Sequence, residues 1–394
     1  SFLLLRIPCL QNAQGMNDEP WQEHVEEEAA LIPPLPGCAK RARRRFLKEV
    51  RRRFGVAVQR LLDGLHDSKI GQAASEASHK ELSQRLSSAL VDGQPVAFED
   101  HSALAGYTMT RLKTRCTTLL DALVAEESYA SLRLLSEKAK VSGRLRVASL
   151  GGGPGFDCVA LLSLLEALFG QGNSIAVHCD VLDLAPAWED TVAIVADEAA
   201  RAWAPTQKPK HIRFVAPVDI RSRSGTESAR VIEDAVAQAD ITIASYVIHE
   251  NEADLLSEEA CGRSPDHVPL GGALPTIFQS MQPASILIFL DATHRLWPSL
   301  TATAVQAVPL DDNNGFDMLT PQGLTAHDHA LVFLRRPWQS PEQIPMPFQG
   351  WPCSPEIFQR HHAELPFSLY EEHQRANQER LQRLQNRDGH VGKK

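Results

Sequence analysis

Leu145-Arg146-Val147-Ala148-Ser149-Leu150-Gly151-Gly152-Gly153-Pro154-Gly155-Phe156-Asp157 is the stretch that decides the fold. An apolar run with a β-branched valine enters four glycines, and a leucine-rich segment follows from Cys158 to Phe169. The order predicts a buried strand, a tight turn and a helix that is apolar almost all round. Glycines let a backbone approach a ligand closely, and a helix N-terminus presents free N–H groups there. Glycine spacing selects the ligand. A dinucleotide fingerprint, Gly-x-Gly-x-x-Gly, needs a glycine where Phe156 or Cys158 stands, which argues against a nicotinamide dehydrogenase. What remains is Gly151-x-Gly153-x-Gly155, with Pro154 supplying no backbone donor.

Downstream, strands and helices alternate, the pattern of a doubly wound parallel sheet. The second strand, Ile175 to Leu182, ends at Asp183-Leu184-Ala185-Pro186, and the third, His211 to Val215, runs on to Asp219 and Ile220. An alanine-rich helix, Glu227 to Ala239, precedes the fourth strand, Ile241 to Ile248, and then His249-Glu250-Asn251-Glu252. The fifth strand is Ser285 to Asp291, with His294, Arg295 and Trp297 beyond it. A helix near Thr301 to Val308 and strands at Phe316 to Leu319 and His329 to Leu334 complete the set. Ligands of open α/β sheets sit outside the carboxyl ends of the strands. A carboxylate at Asp183 can accept both hydroxyls of a ribose, or simply cap a helix. Asp180 competes for that role if the strand ends earlier.

The glycine loop, Asp183 with Pro186 in a first helical turn, and Asp219 after the third strand come in a significant order. Together they resemble the motifs of class I S-adenosylmethionine-dependent methyltransferases, over about half the chain, Leu145 to Arg336. The resemblance implies an α/β fold: a doubly wound, mostly parallel seven-stranded sheet with helices on both faces and an antiparallel seventh strand. An N-terminal helical extension precedes it. The implied cofactor is S-adenosyl-L-methionine, held by Ser149, Gly151, Gly152, Gly153 and Gly155 under its methionine part. Asp183 and Leu184 would lie at its ribose, Asp219 and Ile220 at its adenine, and Ser245 at the end of the fourth strand. The family usually has Asp or Glu where Ser149 stands, and that departure keeps a rival open: a catalytically silent scaffold binding RNA or protein.

Tyr246, His249 and Glu250 are the compact acid/base-capable set near the motifs, and a near-neutral imidazole suits removal of a proton from an N or O nucleophile. Methyl transfer also runs largely on alignment, without an obligatory base. His294, Arg295 and Trp297 are the expected substrate residues, Arg295 for a carboxylate or phosphate and Trp297 for stacking or core packing. No Asn-Pro-Pro-Tyr follows the fourth strand, so the amide and adenine-amino signature is missing. Pro352-Cys353-Ser354 resembles a cytosine-C5 nucleophile motif, but it stands after all the strands and reads as coincidence.

Composition bounds the rest. The chain has 394 residues, 43% hydrophobic and 23% charged, with net charge −9. Mild acidity argues against a protein coated in nucleic acid. One stretch runs the other way: Lys40 to Arg53 is densely basic, and Phe46, Val50, Phe54, Ala57 and Leu61 recur at helical spacing. This amphipathic helix is a candidate contact for RNA, a nuclear address, or a solvated face. RNA is therefore the slightly favoured acceptor over protein or a small molecule. Ile70 to His79 reads as a loop, and His101 to Lys140 as helices whose Tyr107 and Tyr129 either face a substrate cleft or pack in the core, core being the better reading for each. The expected division is 1–38 disordered or processed, 39–143 the helical extension, 144–337 the catalytic core, and 338–394 a proline-rich segment with a charged helix. Seven scattered cysteines without a Cys-x-x-Cys pair predict no metal and no disulfide framework, hence an intracellular protein of cytoplasm or nucleus. No apolar run is long enough for a membrane span. Ser1 reads as the start of a fragment, a translated upstream stretch or a processed chain, with Met16 a candidate start. Oligomeric state is not legible.

Overall fold

The computed structural model describes residues 39–74, 80, 100–125, 127–170, 173–203, 210–256, 269–308, 315–321, 324 and 328–337. The terminal segments 1–38 and 338–394, most of the Cys261 to Gly272 insertion and Pro352-Cys353-Ser354 lie outside these residues. Seven strands form one sheet: β1 (Arg144–Leu150), β2 (Ala176–Leu182), β3 (Lys210–Val215), β4 (Ile241–Ser245), β5 (Ile286–Asp291), β6 (Phe316–Leu319) and β7 (His329–Arg335). Their order is β3-β2-β1-β4-β5-β7-β6. β1 to β5 are parallel, while β7 runs antiparallel between β5 and β6. The doubly wound sheet and its antiparallel seventh strand are those expected from the sequence. The chain leaves β1 toward β2 and returns through β4 on β1's other side, so the crevice between β1 and β4 is the topological switch point.

Both faces of the sheet are covered, which explains the unbroken apolar strands. In β5 every residue from Ile286 to Asp291 is buried. Alternation sorts them by face: Ile286, Ile288 and Leu290 join one core, Leu287 and Phe289 the other. The first core is closed by α1 (Ala39–Asp67), α2 (Lys69–Ala73), α3 (His101–Val124), α4 (Tyr129–Ser142), α5 (Phe156–Phe169) and α6 (Glu189–Ala202). The second is closed by α7 (Glu227–Gln238), α9 (Leu274–Ser280) and α10 (Trp297–Ala307), with the short α8 (Glu252–Leu255) at its edge. α5 is buried from Phe156 to Leu168, as its all-round apolarity predicts.

The helical extension packs as its spacing predicts, with Val50, Phe54, Ala57, Leu61 and Leu65 of α1 buried. Two expectations are corrected. Ile70 lies in a helix, not a loop: it is 3% exposed in the first core, and Ser68 Oγ caps its N–H at 3.1 Å. β4 stops at Ser245 instead of Ile248, because Tyr246 turns to φ +61° and leaves the strand conformation. Among the described residues no helix is long and apolar enough to cross a membrane.

Four arginines of α1 are engaged within the molecule. Arg51 bonds Asp121 at 2.9 Å, and Arg52 and Arg53 share Glu49. Arg60 reaches Glu166 of α5 at 3.1 Å and the Ala202 carbonyl at the end of α6 at 2.9 Å. Glu166 is 9% exposed, so Arg60→Met would leave a buried carboxylate unpaired at a three-helix junction. The variant should lose about 1–3 kcal/mol of unfolding free energy in a urea titration. Arg52→Met, on the solvated face, should leave the urea midpoint where it was.

Candidate active site

The glycine loop lies at the switch point. Gly151, Gly153 and Gly155 all have positive φ, at +61°, +48° and +84°. A Cβ on Gly151 would come within 2.7 Å of Val247. At Gly153 and Gly155 nothing comes nearer than 3.7 Å, so there conformation alone demands glycine. Gly151 N–H donates to the Leu182 carbonyl at 2.8 Å, which ties the loop to the end of β2. Asp183 adds a second tie, accepting from Gly153 N–H through Oδ2 at 2.8 Å and from Ala185 N–H through Oδ1 at 2.9 Å. Burial raises the Asp183 carboxyl above its ordinary value, against the lowering by these N–H groups. Each oxygen keeps a lone pair for a ligand. The next residue, Leu184, is 45% exposed, a large apolar side chain left in solvent. Asp180 is settled otherwise: it lies inside β2 and pairs with Arg213 at 2.8 Å.

Ser149 and Ser245 were expected at the cofactor. Both hydroxyls donate to Asp157 in the first turn of α5, Ser149 to Oδ2 and Ser245 to Oδ1, each at 2.7 Å. Burial pushes the Asp157 carboxyl up, while the two hydroxyls and the charge of Arg115 pull it down; the net shift is upward. Asp157 was in view in the sequence, as a lone acid opening an apolar helix, without a role.

At the end of β4 the expected catalytic trio divides. Tyr246 is 7% exposed, its hydroxyl donates to Asp328 Oδ1 at 2.7 Å, and Arg115 of α3 lies 3.0 Å above its ring. Its phenol is thus engaged with Asp328 and its ring face with Arg115. His249 and Glu250 are placed differently. The His249 Nδ1 atom lies against Asp291 Oδ1 as an ion pair, and its backbone N–H donates to Oδ2 at 3.2 Å. Burial alone lowers the imidazole pKa, but Asp291 outweighs it and the net shift is upward. Glu250 is exposed to solvent in the turn after β4, with His249, Asp291, Arg115 and Asp183 near enough to act on its charge. Desolvation carries its pKa up to about 7, with Asp291 and Asp183 adding to the rise and His249 and Arg115 opposing it.

The remaining expected residues are already partnered. Asp219 grips Arg221 through two bonds of 2.9 Å, and Arg221 also reaches Asp254 at 3.2 Å. Burial raises the Asp219 carboxyl, but Arg221 overcomes this and holds it low. Ile220 is buried, and its carbonyl accepts from Ala273 N–H at 2.9 Å. Beyond β5, Arg295 pairs with Glu252, and the His294 ring lies 4.6 Å from that of His329. Trp297, expected to meet a substrate or fill a core, fills the second core beside Leu296 and Leu300.

The roof of the crevice comes from α3. Tyr107 stacks on Phe156 with ring centroids 5.9 Å apart, and tilts against Trp188 at the same distance. Trp188 in turn lies 3.7 Å from where a Cβ on Gly153 would stand. Tyr107 thus sits half-buried at the glycine loop, while Tyr129 is core, as expected. Arg115 had no distinguishing sequence signal. Among the described residues no cluster of three His, Cys, Asp or Glu can hold a metal ion.

No protein-family model and no curated protein sequence matches the chain. Solved structures with a similar course of chain include an O-methyltransferase family protein from Burkholderia thailandensis, 16% identical, covering 66% of this chain and 70% of that one at TM-score 0.33. Human N-acetylserotonin methyltransferase in complex with SAM is 16% identical, covering 67% of this chain and 71% of its own at TM-score 0.28. A 16S rRNA (adenine(1408)-N(1))-methyltransferase from Catenulisporales acidiphilia is 14% identical, covering 52% of this chain and 91% of its own at TM-score 0.30. The fold itself rests on the strand order and directions given above.

Glu250 gives the site a pH signature. Its ordinary pKa is 4.5 and its folded value about 7, so between these the unfolded chain releases a proton that the folded chain keeps. Stability should therefore fall as pH rises through that window. The raised His249 acts in the same direction, its contribution being present at low pH and lost as pH climbs through its folded pKa. Thermal midpoints measured across the window should show this decline, and Glu250→Gln should flatten it.

Proposed function

We propose that the protein is an S-adenosylmethionine-dependent methyltransferase acting on a proton-bearing N or O nucleophile. The observation that carries this reading is Asp183, placed at the end of β2 and bonded to the Gly153 N–H with acceptor capacity to spare. It gives the crevice a carboxylate suited to a ribose beside a loop that admits a ligand against its backbone. The exposed Leu184 flanks the place where an adenine would lie, and Asp219, fixed by Arg221, borders it from β3. When bound, S-adenosylmethionine supplies a methyl group made electrophilic by its sulfonium sulfur.

The chain's own part in the chemistry is alignment and proton removal. Asp291 holds the His249 imidazole from its Nδ1 side, which turns the opposite nitrogen toward an acceptor and steadies the imidazolium formed when a proton arrives. Glu250, poised near neutrality, can hold or release a proton at the cleft mouth. Tyr246 acts through Arg115 and not on the acceptor. The ion pairs of Arg51, Arg52, Arg53 and Arg60 leave less of α1's charge for a phosphate backbone than its sequence suggests. Protein and small-molecule acceptors therefore stand beside RNA on equal terms.

Asp183→Ala should weaken cofactor binding by about 1.5–3 kcal/mol by calorimetry, the loss expected for hydrogen bonds to a charged group. The loss should be far smaller for an analogue without ribose hydroxyls. His249→Gln should leave cofactor affinity intact and lower methyl transfer by about 10²–10⁴-fold. Transfer is read by mass spectrometry of cell extract supplied with the protein and isotopically labelled cofactor. Binding with no labelled product would favour the silent scaffold.

A further inference from the structure

We propose that Arg115 is the binding residue for the α-carboxylate at the amino-acid end of the cofactor, an assignment that rests on the S-adenosylmethionine reading above. Strand order provides the direction. β1 lies between β2 and β4, so a ligand laid across the glycine loop with its ribose at Asp183 has its other end over the end of β4. That is where Tyr246 leaves the strand and where Arg115 descends from α3.

The guanidinium is placed with care. Its carbon lies 3.0 Å above the Tyr246 ring, and the ring is fixed at its far end by the hydroxyl's bond to Asp328. Asp328 accepts from Thr118 Oγ1 through its other oxygen at 3.0 Å, one helical turn beyond Arg115, so platform and helix are locked together. Tyr246 adopts a left-handed φ of +61° to present that ring, a conformation unfavourable for a bulky side chain. An aromatic face satisfies the flat side of a guanidinium and leaves its edge donors to point elsewhere.

Those donors lack an acid. Arg51, Arg60, Arg213, Arg221, Arg295 and Arg336 each hold a carboxylate within ion-pair distance. Among the described residues Arg115 holds none. It bonds the Tyr107 hydroxyl, and its charge is felt by Asp157 and Glu250 without direct pairing. A half-buried cation, held on a rigid plate and with planar donors left beyond the one given to Tyr107, matches the two oxygens of a carboxylate.

The test is calorimetry with two ligands that share the adenosine: S-adenosylhomocysteine, which carries the amino-acid end, and 5′-methylthioadenosine, which lacks it. Arg115→Met should weaken the first by about 10- to 150-fold, the range for lost hydrogen bonds to a charged group, and leave the second unchanged. Arg115→Lys keeps the charge near Asp157 but not the fork; it should show a smaller loss, again confined to the first ligand. It also carries the test should the methionine variant fail to fold. Equal losses for both ligands, or no loss for either, would overturn the assignment while leaving the cofactor reading intact. Wild-type protein that binds neither ligand would overturn the cofactor reading itself, and the assignment with it.

Discussion

Asp157 is the group on which the rest of the crevice depends. Its carboxylate is buried where α5 begins and is held from two sides, by Ser149 of β1 and Ser245 of β4. A buried carboxylate without partners is costly, and the two hydroxyls offset that cost. Once formed, this trio draws the two central strands and the helix into one corner and fixes the width of the gap between β1 and β4. The glycine loop hangs from the same corner. Its shape is set by positive φ values on one side and by the grip of Asp183 and Leu182 on the other.

Charge is distributed around that gap in a consistent manner. Carboxylates stand at the ends of β2 and β5 and on the turn after β4, as Asp183, Asp291 and Glu250. Cations enter from the periphery: His249 lies against Asp291, and Arg115 comes down from the roof. Desolvation is the main reason that the Glu250 carboxyl is raised, and the charges of Asp291 and Asp183 add to it.

The sheet and most of its connections were legible in the sequence because buried strands and amphipathic helices leave periodic traces. Phe316–Leu319 is the sixth strand as read, and the fifth differs by one residue at its start. The misreadings share a cause. The end of β4 and the helical placing of Ile70 are each decided by contacts that the local pattern does not record. Strand-end carboxylates such as Asp183 were legible because their position follows from the strand. Arg115 was not, since what it meets depends on which side of its helix faces the crevice, and Asp291 was read only as the end of the fifth strand, its contact with His249 being made across a neighbouring turn. Ser149 was quoted at the right place, but its partner eight residues on is visible only after the helix has folded back.

The roof over the crevice belongs to a part of the chain that precedes the sheet, while the residue that anchors it lies just before the last strand. Thr118 and Asp328 are 210 positions apart, and Tyr246 and Arg115 complete the same knot. During synthesis α3 emerges early and can pack on α1, α2 and α5, but its bond to Asp328 waits until the segment before β7 has been made. Closure of so long a loop comes late among folding events. The binding crevice is thus among the last parts of the molecule to take shape, and a nascent chain halted before Asp328 would hold most of a sheet but no finished site.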